Sequence, residues 1–220
     1  MQNLRYNYRI YPSDEQLSLL KQAGGSCRYI WNYFLAKEMA QYEQDNTFNF
    51  VSKNSKDLTS LKHATEWLKI PPSTALQQTI RNLDQSLKQS FKNANSRKGF
   101  PKFKKKKFNS VSFNLTMVNS KNFKSANMFH IPKIGNVKIK QHRKPPSDFK
   151  SCTVKRKAEK WFISIVVKKE CKEKQPIIKP IGIDLNSKDL VVTSDGEVIN
   201  NPKYYSKTKS KIKWLQKALA

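Results

Sequence analysis

Acidic residues are scarce in this 220-residue chain: 16 Asp and Glu stand against 43 Lys and Arg, a formal net charge of +27. Between Asp84 and Asp148 there is no acid at all. A surplus of that size repels itself and calls for a polyanionic partner. Nucleic acid fits, because releasing its condensed counterions drives binding. A membrane surface would be served by one basic amphipathic helix or a lipid anchor. The lysines here spread over predicted helices, loops and strands alike, so no membrane partner is expected. Cysteine is also scarce: Cys27, Cys152 and Cys171 are odd in number and form no C-x-x-C pair. That argues against a disulfide framework and against a zinc site within the chain, and it fits a reducing cytoplasm. Long apolar runs are missing, and the opening MQNLRYNYRIYP is not a signal peptide. What is present is a 37% hydrophobic fraction with twelve Phe, eight Tyr and four Trp, which sets the chain apart from a disordered polycation.

The patterning predicts a mixed α+β chain. Leu4 to Tyr11 alternates large and polar residues and reads as a strand ended by Pro12. Ser13, with Gln16 three residues on, reads as a capping box opening a helix. Gly24-Gly25 is expected to break that helix and Ser26 to cap a second one, a helix-turn-helix-like start. Asn46 to Asn54 reads as a loop. Leu58, Leu61 and Leu68 suggest a short helix ending before Pro71-Pro72. The clearest helical stripe is Leu76, Ile80, Leu83, Leu87 and Phe91, which is core packing and carries no chemistry. From Ser110 the period becomes two. Val111–Leu115, Val137–Lys140, Val154–Lys157 and Phe162–Val167 read as strands, the last two joined through Ala158-Glu159-Lys160. Closely spaced strands suggest a small barrel or sandwich. Lys172 to Pro180 reads as a linker, and Ser206 starts a last amphipathic segment.

Two stretches carry chemistry. The first is Arg97 to Phe108, where a cationic run interleaves with Phe. Lysines there can contact phosphate while aromatics stack on bases, although Phe100 and Phe103 read as packing anchors. The candidate nucleic-acid contacts are Arg28, Arg81, Arg97, Lys98, Lys102, Lys104, Lys105, Lys106, Lys107, Lys133, Lys138, Lys140 and Arg143. The second stretch is Ile181-Gly182-Ile183-Asp184-Leu185. An Asp inside an apolar strand is costly to bury unless it is paired or binds metal. A two-strand hairpin turning at Asp195-Gly196 and a helix follow it, the order in which an RNase H-like fold begins.

Six blocks in order resemble one family. They are Tyr8-Arg9-Ile10-Tyr11-Pro12 with Gln16, Gly25 to Asn32, Leu76 to Asp84, Gly99 to Lys104, Ile131 to Gly135 with Val137-Lys138-Ile139, and Ile181 to Leu185. Together they resemble the N-terminal part of TnpB/OrfB-type transposon proteins, RNA-guided DNA endonucleases related to type V CRISPR effectors. The resemblance implies a β-barrel wedge domain (residues 1–12 and 102–175), an inserted helical recognition domain (13–101) and the first elements of a RuvC nuclease domain (176–220). It implies guide RNA and DNA as partners, with base pairing reading the sequence. It makes Asp184 the first catalytic and Mg²⁺-binding carboxylate.

Departures from the family pattern shape the expectation. Asn186 stands where the family usually has Gly, a change that a left-handed turn tolerates. The family's second and third catalytic acids and its zinc-binding cysteines have no counterpart in this sequence, and Asp189, Asp195 and Glu197 are poor replacements. The expectation is therefore an RNA- and DNA-binding chain, inactive alone, with Asp184 in an incomplete site and no stably held Mg²⁺. A separate chain could supply the missing half. A binding-only regulator and a decayed remnant without a role are the alternatives. The C-terminal part, and Ile212, Leu215 and Leu219 within it, are expected to lack a full partner face.

Overall fold

The computed structural model describes residues 2–49, 51–92, 99–106, 111–170 and 180–219. The chain separates into two compact units, residues 1–171 and 172–220.

The first unit opens with strand β1 (Gln2–Tyr11). Ser13 then caps helix α1 (Asp14–Asp45) as the sequence predicts. Its hydroxyl accepts the Gln16 N–H at 3.3 Å, and the Gln16 side chain accepts the Ser13 N–H at 3.2 Å. The predicted break at Gly24-Gly25 does not occur: α1 runs unbroken for 32 residues. Each glycine costs a helix roughly 1 kcal/mol against alanine, but Gly24 is buried, and a Cβ there would lie 2.1 Å from Val111 Cγ1. The missing side chain lets the start of the β-region close onto the helix. Ser26, expected to cap a new helix, instead donates its hydroxyl to the Gln22 carbonyl at 2.9 Å. Asn46, left-handed at φ 55°, ends the helix.

Helix α2 (Val51–Ala64) begins inside the predicted loop. The polar residues that read as loop serve a buried carboxylate instead. Glu38 of α1 is fully buried; it accepts Asn49 N–H at 2.8 Å and Asn54 Nδ2–H at 2.6 Å. A 3₁₀ turn (Glu66–Lys69) buries Leu68, and the two prolines follow. Helix α3 (Ser73–Lys92) buries the predicted stripe Leu76, Ile80, Leu83 and Leu87; the Phe91 side chain lies outside the described residues.

Strands β2 (Ser112–Thr116), β3 (Phe123–Ser125), β4 (Met128–Ile131), β5 (Gly135–Lys140), β6 (Ser151–Lys157) and β7 (Lys160–Lys169) join β1 in one antiparallel sheet of order β2-β6-β7-β1-β5-β4-β3. The expected barrel is not closed: among the described residues β2 and β3 are edges. The physical reason is that the apolar face has another cover. α1 and α3 pack along β2, and Leu20, Phe34, Leu76 and Leu83 form one core with Phe113, Leu115, Val154 and Ile163. Burying each such side chain contributes roughly 1.5–3 kcal/mol, so the helices do what an opposite barrel wall would do. The β6–β7 hairpin turns on Ala158-Glu159, with Lys157 opposite Lys160 and Ala158 at φ 51°.

The second unit is a three-stranded sheet of order β10-β9-β8, built from β8 (Ile183–Asp184), β9 (Asp189–Thr193) and β10 (Val198–Asn200), followed by helix α4 (Tyr204–Leu219). α4 buries no residue; Ile212, Leu215 and Leu219 are 41%, 44% and 88% exposed. Among the described residues no helix is long and apolar enough to cross a membrane.

Candidate nucleic-acid interface

Residues 99–106 have no regular secondary structure, yet two side chains of α1 fix their path. Trp31 Nε1–H donates to the Lys102 carbonyl at 3.1 Å. Asn32 takes Lys104 at both ends: its Nδ2–H donates to the Lys104 carbonyl at 3.1 Å, and its Oδ1 accepts the Lys104 N–H at 2.8 Å. The Lys104 ammonium lies 3.5 Å from the centroid of the Trp31 ring, a cation–π geometry. The residue as a whole stays exposed, but burial of its charged end lowers its pKa. Residues 99–106 are thus a strap on α1, along which Lys102, Lys105 and Lys106 are exposed.

Beneath the strap is a cleft of about 690 Å³ between α1, α3 and β2, lined by Arg28, Asn82, Phe103, Lys104, Lys105 and Asn114 among others. Phe103, expected as a packing anchor, is 51% exposed in the wall of this cleft. The difference has a cause: Trp31 and Asn32 hold the strap by its backbone, so the Phe103 ring is not needed as an anchor. Cys27 also lines the cleft; burial pushes its thiol up to about 11. It is a neutral packing group and no nucleophile.

Arg28, Lys104 and Lys105 therefore come together around one cleft. Lys102 and Lys106 are exposed along the strap. Arg81 is exposed on α3 and does not line the cleft. Lys133, in the β4–β5 turn at φ 62°, donates to the Lys69 carbonyl. Arg97, Lys98 and Lys107 lie outside the described residues.

Lys138 and Lys140 are exposed on β5, on the sheet face away from Tyr8, Ile10 and Ile163. Strand register groups them with residues that sequence reasoning passed over. Lys140 lies opposite Arg9, Arg9 opposite Phe162, and Phe162 opposite Lys155, one cross-strand row over β5, β1, β7 and β6. The Arg9 guanidinium is 4.7 Å from the centroid of the Tyr11 ring beside it. None of the seven strands contains an Asp or Glu. Cations directly opposite each other destabilise a sheet, so an anion on this face would relieve Arg9 and Lys140 together. Arg143 does not join them: its guanidinium packs 4.6 Å from the centroid of the Tyr6 ring, on the Tyr8 side of β1.

Asp184 has a different setting from the one its apolar flanks predict. β8 is only two residues long; Asp184 pairs with Val192, and Ile183, Asp184 and Leu185 are all exposed. Gly182 meets Ser194, donating its N–H to Oγ at 3.0 Å. Asn186 has no left-handed backbone; its Oδ1 accepts the N–H of Lys188 at 3.1 Å and of Asp189 at 2.7 Å, a side-chain turn that does the work expected of a left-handed residue. Asp195-Gly196 forms the hairpin turn, with Gly196 at φ 85°. Among the described residues no three His, Cys, Asp or Glu side chains are grouped to hold a metal ion. Asp184 is exposed and belongs to no such group, and no chemical step is assigned to it.

A family model described as a helix-turn-helix domain, of the OrfB IS605 kind, matches residues 1–47. In this chain those residues form one strand and one uninterrupted helix. The Escherichia coli (strain K12) protein named "Putative RNA-guided DNA endonuclease InsQ" is 29% identical over 98% of this chain and 53% of its own length. A Streptomyces pristinaespiralis protein named "Putative RNA-guided DNA endonuclease" is 26% identical over 94% of this chain and 52% of its own length. The chain spans about half the length of the curated relatives it matches.

Proposed function

We propose that this chain is of the TnpB/OrfB type of transposon-associated proteins, to which it is similar over most of its length, and that residues 1–171 bind the RNA and DNA of such an element through the strap and its cleft. The observation that carries this reading is the pinning of a lysine-rich strap by Trp31 and Asn32. A solvated charge run would have no reason to be held by three side-chain hydrogen bonds. Fixed cations lose less freedom when they meet phosphate, so more of the counterion-release energy appears as affinity. Phe103 in the cleft wall supplies a stacking surface that tolerates any base. Specificity then comes from pairing between the nucleic acids, with the protein holding backbone and shape.

We infer that these residues on their own bind without cutting: among the described residues no three His, Cys, Asp or Glu side chains are grouped to hold a metal ion. The test is to purify the protein, sequence the nucleic acid that comes with it, and add matched DNA and Mg²⁺. Enrichment of one RNA without cleavage supports the reading. Equal recovery of any polyanion, or guide-dependent cutting by the chain alone, contradicts it.

A further inference from the structure

A second pocket, which shares Asn114 with the cleft, lies on the polar face of the sheet. Its volume is about 250 Å³, and Arg5, Gln78, Asn114, Thr116, Thr153 and Ser164 are among its lining residues. Register explains how they meet. Asn7, Ser164, Thr153 and Asn114 follow one another in a single cross-strand row over β1, β7, β6 and β2. Arg5 faces Val166, one step diagonal to Ser164, a separation of about 7–8 Å that a long side chain spans.

Two features of this pocket point to a ligand. Ser164 is 2% exposed, yet its hydroxyl has no hydrogen-bond partner among the described residues. Native proteins rarely leave such a group unmatched, since its lost hydration is not recovered. Arg5 stands at the same pocket and forms no ion pair with a described residue. Among the described residues no Asp or Glu lines the pocket to repel an anion, and no aromatic ring lines it to stack on a nucleobase. Thr153 already donates to Asn114 Oδ1 at 3.0 Å, which leaves the Asn114 amide N–H groups to turn toward a ligand.

We infer that this pocket takes a phosphate group, with Arg5 as the charged partner and the Ser164 hydroxyl as the buried donor. The phosphate comes from a nucleic acid, at a chain end or within its backbone, or from free phosphate. The inference goes beyond the strap and cleft and does not depend on them.

The test is a titration of ¹⁵N-labelled protein with inorganic phosphate at constant ionic strength, following the Thr153 and Ser164 amides. Saturable shifts are expected there and not with chloride. Arg5→Gln is expected to weaken binding about tenfold, the usual worth of one charge-assisted contact. Ser164→Ala removes an unmatched hydroxyl, so it should fold as well as the parent while binding phosphate about threefold more weakly. Lys105→Ala, which alters the cleft, should leave the titration unchanged. Oligonucleotides with a 5′-phosphate or a 5′-hydroxyl separate the sources. Preference for the first assigns a chain end, equal saturable shifts with both assign a backbone phosphate, and saturation by inorganic phosphate alone assigns free phosphate. Linear shifts shared with chloride, or unchanged affinity in both Arg5→Gln and Ser164→Ala, would overturn the inference whatever the cleft is found to bind.

Discussion

Asn32 is a small residue with a large reach. It holds the Lys104 backbone from 72 residues away by two hydrogen bonds. Asn32→Ala should cost about 1–2 kcal/mol of stability and release the strap; nucleic-acid affinity should fall severalfold while circular dichroism stays that of the folded chain. An affinity equal to the parent's would mean that strap geometry is irrelevant. Cys27 and Cys152 offer a separate check, since burial pushes their thiols to about 11 and about 12. Peptide mapping after alkylation at pH 8 should find both unmodified in the native protein and modified after unfolding. The sign for stability follows: the unfolded thiols ionise near 9.0 while the folded ones stay neutral, so stability declines as pH rises from about 9 toward 11. At this scale the sequence marked Trp31 and Asn32 only as part of a family-like block. Their role was illegible because their partners are backbone carbonyls and an N–H, which leave no trace in residue type. Arg9, Lys155 and Phe162 escaped notice for a related reason, since only strand register puts them in one row.

Elements were read well where local rules decide them. The Ser13–Gln16 capping box, the α3 stripe and the alternating strands are all determined by neighbours within a few residues. Ser13→Ala should lower stability by about 1 kcal/mol, read as a shift in the urea midpoint. The unbroken α1 shows where local rules lose. Gly24 breaks nothing because Val111 needs the space its side chain would fill. Gly24→Val should therefore destabilise the fold by about 1–3 kcal/mol through overpacking, although valine replaces a poor helix former. A stabilised variant would mean that β2 does not pack on α1 as described. The start of α2 was missed for a comparable reason: Asn54 is polar but buried, because Glu38 binds it.

For the whole molecule, charge and order were legible and closure was not. An acid-poor sequence leads directly to an acid-free seven-stranded sheet, whereas whether that sheet curls into a barrel depends on what covers its apolar face. The two units should also differ in protection. β8 has two residues and α4 buries none, so amide exchange across residues 181–192 should be faster than across β1 and β7 by orders of magnitude; equal protection would contradict this. In the proposed function a pinned basic strap and its cleft bind nucleic-acid phosphates. This binding is tested most directly by the salt dependence of affinity for duplex DNA and for RNA, comparing the parent chain with Arg28→Gln/Lys105→Gln. Each phosphate contact contributes a slope of about 0.9 for duplex DNA in log affinity against log salt. A steep slope is expected for the parent and one shallower by about 2 for the double variant. Unchanged slope and affinity in the double variant would contradict it.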